Sequence, residues 1–348
     1  MTQPYVRVQD LHVQFPTEDG IVRAVDGVTF DVERGKTLAI VGESGCGKSV
    51  TSQAIMGLLN RRNSRISGEV WLGDQEMIGA SDDTLRSMRG SEIAMIFQDP
   101  FASLHPFYRI GNQLAEAVRS HNDVSKAEAR ERARHMLAEV GIPNPERRLD
   151  DYPHQLSGGM RQRVMIAMAL INGPKVLIAD EPTTALDVTV QAQIMELLAK
   201  LQDEYNTAII LITHDLGVVA DVADEVAVMY AGRVVERGGL EDIFYRPQMP
   251  YSVGLLASVP RLNTVTDRLI PIPGQPPSLI RLPSGCRFEA RCAVKHLVAD
   301  DRCRLEQPQL MPAGDDDEHL VRCHLDVAQR TEYSKSKLAE ATAQGSAS

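Results

Sequence analysis

Gly42-Glu43-Ser44-Gly45-Cys46-Gly47-Lys48-Ser49 is a G-x-x-x-x-G-K-S run. An apolar stretch, Thr37 to Val41, precedes it, and a helix-like stretch, Val50 to Leu59, follows. This is the strand-before, helix-after context of a phosphate loop. Glycines let the backbone curl so that successive N–H groups point at an anion. The helix start adds unpaired donors and partial positive charge. Lys48 is placed to reach β- and γ-phosphates, and the Ser49 hydroxyl to hold Mg²⁺. Cys46 sits in a slot that demands mainly backbone.

Other chemistry-bearing residues stand at the ends of apolar runs. Ile93 to Phe97 ends at Gln98, and Val176 to Ala179 ends at Asp180-Glu181-Pro182. Ala208 to Thr213 ends at His214. In α/β folds, ligands bind beyond the carboxyl ends of the strands. Asp180 there would hold Mg²⁺, directly or through water, and Glu181 would orient or deprotonate an attacking water. His214 could donate to a γ-phosphate oxygen. The bland readings are a loop glutamine, a solvated strand end and a structural histidine. A shared sheet edge argues against all three. Phe15 ends the first strand-like run and either stacks on a nucleobase or packs in the core.

A second anion-directed terminus lies at Ser157-Gly158-Gly159. Ser157 is a good N-cap for the apolar helix Val164 to Ile171, and the glycines expose backbone N–H groups. Asp187 precedes an amphipathic helix, Val190 to Gln202.

These residues need a scaffold. Alternating runs at 5–15 and Val25 to Val32 flank the turn cluster Pro16 to Gly20. Helical periodicity at Ile110–Ser120 and Lys126–Val140, with no strand-like run before Val176, marks a helical insert. Val226–Tyr230 and Arg233–Glu236 read as a hairpin around Ala231-Gly232. Prolines crowd 247–283, which predicts an extended surface segment. Cys286, Cys292, Cys303 and Cys323 follow, separated by 5, 10 and 19 residues. Four thiolates suffice for tetrahedral Zn²⁺ or an iron–sulfur cluster, although no C-x-x-C pair occurs. Residues 331–348 read as a disordered tail. The organisation expected is 1–98 and 173–246 as a nucleotide-binding core, 99–172 as the helical insert, and 247–330 as an extension.

The chain has 348 residues, of which 43% are hydrophobic and 24% charged, as in a soluble globular protein. No apolar run reaches the roughly 18 residues that span a bilayer. The N-terminal MTQPYVRVQD lacks the pattern of a secretory signal. A net charge of −10 without a basic block argues against a nucleic-acid partner.

GESGCGKS, Gln98, LSGGMRQR, VLIADEP, ALD and His214 occur in the order and spacing of ATP-binding cassette ATPases, which residues 5 to about 240 closely resemble. IFQDPFASLHP, QMPYSVGLLASVP and the GCRFEARC…C…C pattern are similar to the oligopeptide/dipeptide importer branch. Met249 and His105 depart from that branch, where His and Asn are usual. The resemblance implies a RecA-like α/β P-loop core with a mixed sheet. It implies head-to-tail pairing with a second ATPase, a paralogue in preference to an identical copy. Each ATP would lie between the phosphate loop of one cassette and the Ser157–Gly159 terminus of the other, with Asp187 reaching across. By resemblance, Glu181 is the catalytic base, His214 the γ-phosphate clamp, and Gln98 a γ-phosphate sensor at the Mg²⁺ site. The implied partners are two transmembrane permease subunits and, indirectly, an extracytoplasmic substrate-binding protein, which places the chain on the cytoplasmic face of the plasma membrane. The branch also implies a [4Fe–4S] cluster on the four cysteines, with zinc as the alternative. Similar ATPases serve nickel, glutathione and oligosaccharide import. Soluble cassette machines are the other class considered, but they usually carry coiled-coil insertions or tandem cassettes, which this chain lacks.

Overall fold

A computed structural model describes residues 4–99, 103–184, 186–258 and 271–343. Two sheets organise it. The first is antiparallel, in the order β2-β1-β4-β5, with β1 Val6–Thr17, β2 Gly20–Val32, β4 Arg65–Leu72 and β5 Gln75–Glu76. The second has eight strands in the order β11-β12-β10-β9-β3-β8-β7-β6. Its parallel heart comprises β3 Thr37–Val41, β6 Ile93–Ile96, β7 Val176–Asp180, β8 Ala208–Ile212 and β9 Glu225–Tyr230. The mixed α/β class expected from the sequence is the fold observed.

The central strands are continuous apolar runs because both of their faces are covered. Side chains alternate between faces with a period of two, and the alternation decides what each one packs against. Leu38, Ile40, Ile93, Met95, Val176, Ile178, Ile210 and Ile212 face a core shared with the antiparallel sheet. Ala94, Ile96, Leu177, Ala179, Ile209 and Leu211 face the helical insert. Ala39 and Val41 face a third core that includes Tyr251, Phe288 and Val321 of the C-terminal region.

The insert contains the helices Ile110–Arg119 and Lys126–Glu139, and ends in the helix Gly158–Leu170. Ser125 and Ser157 cap two of these through side-chain oxygens that accept N–H from Glu128 and Met160.

Three sequence expectations need correction. The second strand begins at Gly20, because antiparallel pairing from Thr17–Gly20 to Val6–Val32 extends it back to the turn. The proline-rich segment does not cross the surface wholly extended. Pro250–Ala257 is helical, with Pro250 at the helix start, where its missing N–H costs nothing, and Tyr251 fully buried. Of the tail expected to be disordered, 331–343 belong to the helix Val327–Ala343, in which Arg330 and Ser334 are buried, and 344–348 lie outside the described residues. Two short strands, β11 Met311–Pro312 and β12 Leu320–Val321, join the central sheet beside β10 Arg233–Gly239, so the extension is built into the core.

Candidate active site

The phosphate loop leaves the end of β3 and enters the helix Lys48–Ile55. Two glycines are required by the space around them. A Cβ on Gly42, at φ 151°, would lie 2.2 Å from the Met229 carbonyl oxygen. One on Gly47, at φ 108°, would lie 2.3 Å from that of Ala24. Neither clash is with a flexible side chain. The backbone is therefore pressed against β9 and β2, and the loop's shape is fixed from below. Cys46 is buried, which pushes its thiol pKa up. Its carbonyl accepts the N–H of Gly232 at 2.8 Å. Lys48 is buried and donates to the carbonyls of Gly42 at 2.8 Å and Glu43 at 3.2 Å.

The ends of β6, β7 and β8 converge beside this loop. Ser49 donates its hydroxyl to Asp180 Oδ1 at 3.1 Å. Burial raises the Asp180 carboxyl pKa, and the Ser49 hydrogen bond opposes that rise only in part. Glu181 is held by three neighbours. Gln98 Nε2 donates to Oε2 at 2.8 Å, Thr184 Oγ1 donates to Oε2 at 2.9 Å, and His214 Nδ1 lies 3.2 Å from Oε1. Burial works against ionisation of Glu181, but the hydrogen bonds from Thr184 and His214 outweigh it and lower the pKa. Its backbone is left-handed, at φ 48°, a costly conformation for a non-glycine residue. Gln98, Glu181 and His214 therefore lie together beside Lys48, Ser49 and Asp180.

The remaining candidates lie elsewhere. Ser157 caps the helix Gly158–Leu170, and Gly159 abuts Val190. Asp187 caps the helix Val188–Tyr205 by accepting the Val190 N–H at 2.9 Å. Among the described residues, no hydrogen bond joins Ser157, Gly158, Gly159 or Asp187 to residues 42–49. Phe15 pairs with Val22 and packs, half-buried, against the first core.

Sequence reasoning missed Thr184, Tyr251 and Arg291. Tyr251 Oη accepts the Glu43 N–H at 2.9 Å, and Arg291 forks onto the Glu43 carboxylate. Both partners lie over 200 positions from the loop, and no local spacing reports such a contact.

The metal expectation for Cys286, Cys292, Cys303 and Cys323 is not met by a formed site. Among the described residues, no group of three or more His, Cys, Asp or Glu is placed to hold a metal ion. All four cysteines are free. Cys286, Cys292 and Cys323 pack against the third apolar core. Cys286 N–H bonds to the Cys303 carbonyl at 2.7 Å, while Cys292 closes a 3-10 turn. Burial pushes Cys286 up to about 12 and Cys323 up to about 11, and the neighbouring cysteines add to both shifts.

The comparisons agree with this geometry. A model described as ABC transporter matches residues 25–184, and one described as Oligopeptide/dipeptide transporter, C-terminal region, matches 235–297. The chain is 53% identical over 327 residues to the dipeptide transport ATP-binding protein DppD of Bacillus subtilis, covering 94% of this chain and 96% of that one. It is 55% identical over 287 residues to the oligopeptide transport ATP-binding protein OppD of Salmonella typhimurium, covering 82% and 85%. Among solved structures, an ATP-binding cassette captured as a dimer in a post-hydrolysis state with ADP and Pi matches with TM-score 0.61 and 29% identity, over 68% of this chain and 98% of that one. CbiO1 of Clostridium perfringens, part of the ABC transporter complex cbiONQ, matches with TM-score 0.59 and 32% identity, over 73% and 96%. A phosphate loop, a paired Asp180-Glu181 and a facing His214 on this sheet thus sit in a chain that belongs to the ABC transporter family, in the branch of ATP-binding proteins carrying the oligopeptide/dipeptide transporter C-terminal region.

Proposed function

We propose that this chain is the ATP-hydrolysing subunit of an importer for dipeptides or oligopeptides. One observation carries the chemistry: Glu181, whose pKa is lowered by Thr184 and His214, stands beside the Asp180–Ser49 pair at the mouth of the phosphate loop. A carboxylate kept ionised can orient and deprotonate water, a role worth about 10²–10⁴ in rate. Lys48 and the loop amides bind the β- and γ-phosphates. Ser49, Asp180 and Gln98 are the residues that would hold Mg²⁺, which supplies charge neutralisation on the phosphate oxygens. Two adjacent oxygens, Ser49 Oγ and Asp180 Oδ1, suit an ion that takes few protein ligands and completes its shell with phosphate and water. His214 steers Glu181 and faces the position of the γ-phosphate.

The Ser157–Gly159 terminus is unlinked to the chain's own loop, and the structural relative was captured as a dimer. Both support a reading in which a second cassette supplies the opposing terminus, with Asp187 at the seam; a paralogue is proposed for it on the resemblance alone. No helix among the described residues is long and apolar enough to cross a membrane. From its relatives, the proposed partners are two permease subunits at the cytoplasmic face of the plasma membrane, with an extracytoplasmic binding protein acting indirectly. The names of the relatives support peptides as cargo over nickel, glutathione or oligosaccharides. Reconstitution with the co-purifying membrane proteins tests this. Peptide-stimulated ATP hydrolysis supports the reading, and stimulation only by another solute class overturns the cargo assignment.

A finer part of the proposal concerns the cysteines. The four-cysteine pattern, similar to that of the importer branch, supports an iron–sulfur cluster ahead of zinc, and because no metal-holding group is formed among the described residues, loading would have to draw the four thiols together. Purification without oxygen, followed by iron, sulfide and zinc analysis, tests it. Roughly four irons per chain support a cluster. Stoichiometric zinc, or metal-free thiols, overturns it.

A further inference from the structure

Glu43 is the second residue of the phosphate loop, and every polar group it owns is engaged. Its carbonyl accepts from Lys48 at 3.2 Å and its N–H donates to Tyr251 Oη at 2.9 Å. Its carboxylate receives both arms of Arg291, with Nη1 to Oε2 at 2.7 Å and Nη2 to Oε1 at 2.9 Å. The Glu43 carbonyl also accepts the Cys46 N–H at 3.3 Å, so the carbonyl contacts are internal to the loop, while the N–H and carboxylate contacts are not. Tyr251 and Arg291 both belong to the C-terminal extension.

The Arg291 end of this contact is rigid. Its side chain is 4% exposed, against 27% for Glu43. Nε donates to the Pro273 carbonyl at 2.9 Å and Nη2 to that of Ile272 at 3.1 Å, so the guanidinium is held in one plane. Tyr230, Tyr251 and Phe288 form a three-ring cluster beneath it, with centroids 4.5, 5.3 and 5.4 Å apart. The Arg291 guanidinium carbon lies 5.7 Å from the Tyr230 ring. A planar fork stacked and bonded in this way presents a fixed two-point template to a carboxylate. Tyr230 also ends β9, the strand whose Met229 carbonyl presses on Gly42. The loop is thus gripped at Gly42 from the core and at Glu43 from the extension.

We propose that Arg291 and Tyr251 are positioning residues for the phosphate loop: acting through Glu43, they hold it in the shape that receives the triphosphate, so that MgATP affinity depends on docking of the extension. The amides that meet the phosphates follow Glu43 directly, and any freedom at Glu43 passes to them. A loop that must be ordered on binding loses affinity by the fraction of time it is disordered. Coupling of this kind is reciprocal, so bound nucleotide also steadies the extension.

The test is equilibrium binding of MgATP to the full chain carrying Arg291→Gln, Glu43→Gln, both together, Arg291→Lys or Tyr251→Phe. Arg291→Gln and Glu43→Gln are each expected to raise Kd about 5- to 20-fold, within the usual range of such couplings. The double variant is expected to be no weaker than the worse single one. Arg291→Lys keeps the charge and loses the fork, and should fall between wild type and Arg291→Gln. Tyr251→Phe should weaken binding less. In steady state, Arg291→Gln should raise the ATP KM while kcat stays within about twofold, as for lost ground-state binding. In the unmodified protein, MgATP should slow amide exchange over residues 286–292. Should Arg291→Gln not fold, Glu43→Gln, at the solvent-facing end of the pair, decides alone. Unchanged Kd in Glu43→Gln, or losses that multiply in the double variant, would overturn the proposal.

Discussion

Glu181 Oε1 and His214 Nδ1 lie 3.2 Å apart across the ends of two adjacent parallel strands. The histidine therefore has two tasks that a single substitution separates. In the proposed mechanism it contacts incoming phosphate and it lowers the pKa of the neighbouring carboxylate.

Removing the carboxylate while keeping its shape isolates the first step of hydrolysis. Glu181→Gln is expected to lower the hydrolysis rate about 10²–10⁴-fold with MgATP affinity unchanged. Single-turnover kinetics beside equilibrium binding give both numbers. Near-normal turnover would remove Glu181 from its role as base.

His214→Ala leaves Glu181 with the hydrogen bonds from Gln98 and Thr184 but without the imidazole. Burial, which works against ionisation, then gains weight, and the Glu181 pKa rises. The base works only when ionised, so activity is lost as pH falls through that pKa. The acid limb of the single-turnover pH–rate profile should therefore move to higher pH in the variant, together with a lower plateau. A lower plateau with an unmoved acid limb would confine His214 to phosphate contact.

The extension is joined to the core at a second ion cluster, which affects stability. Asp26 accepts from Arg233 at 2.9 Å and from the buried Arg287. Burial opposes ionisation of Asp26, but Arg233 and Arg287 outweigh it and lower its pKa below the ordinary 3.8. A depressed carboxylate pKa contributes stability that is fully present above the unfolded value and is lost as pH falls through the folded one. Asp26→Asn should remove that contribution and leave Arg287 buried without its counter-charge, at a cost of about 3–5 kcal/mol. Urea unfolding at pH 7 and pH 3 checks it: the gap between the two proteins should be large at pH 7 and shrink in acid.

In the metal-free protein the thiols should be slow nucleophiles. Cys286 and Cys323, pushed to about 12 and about 11, hold almost no thiolate at neutral pH. Iodoacetamide mapping by mass spectrometry should show both alkylated more slowly than a free cysteine peptide, and unfolding in urea should abolish the difference.

Much of this site could be read from local sequence. GESGCGKS, Gln98, Asp180-Glu181 and His214 each close an apolar run, and parallel strands of one sheet necessarily bring those ends to one edge. Ser157 was legible as a helix cap because capping is a short-range matter; Asp187 was read only as preceding a helix, and the structure shows it to be that helix's cap. The misses have a common cause. The helix Val327–Ala343 has a polar composition, and what fixes it is burial of Arg330 and Ser334 against distant residues. Pro250–Ala257 lay among prolines that suggested an extended path, but its buried Tyr251 answers to the phosphate loop and to Phe288. Contacts spanning the chain leave no periodicity to detect.

The proposed function requires above all that Lys48 and the loop amides grip a triphosphate. Equilibrium binding of MgATP to the purified full chain, compared with Lys48→Ala, measures it. The expected result is saturable binding of one nucleotide per chain by the unmodified protein, weakened more than about tenfold by the substitution, the loss of a charge-assisted contact. Failure of the unmodified chain to bind, or equal affinity in Lys48→Ala, would contradict the account.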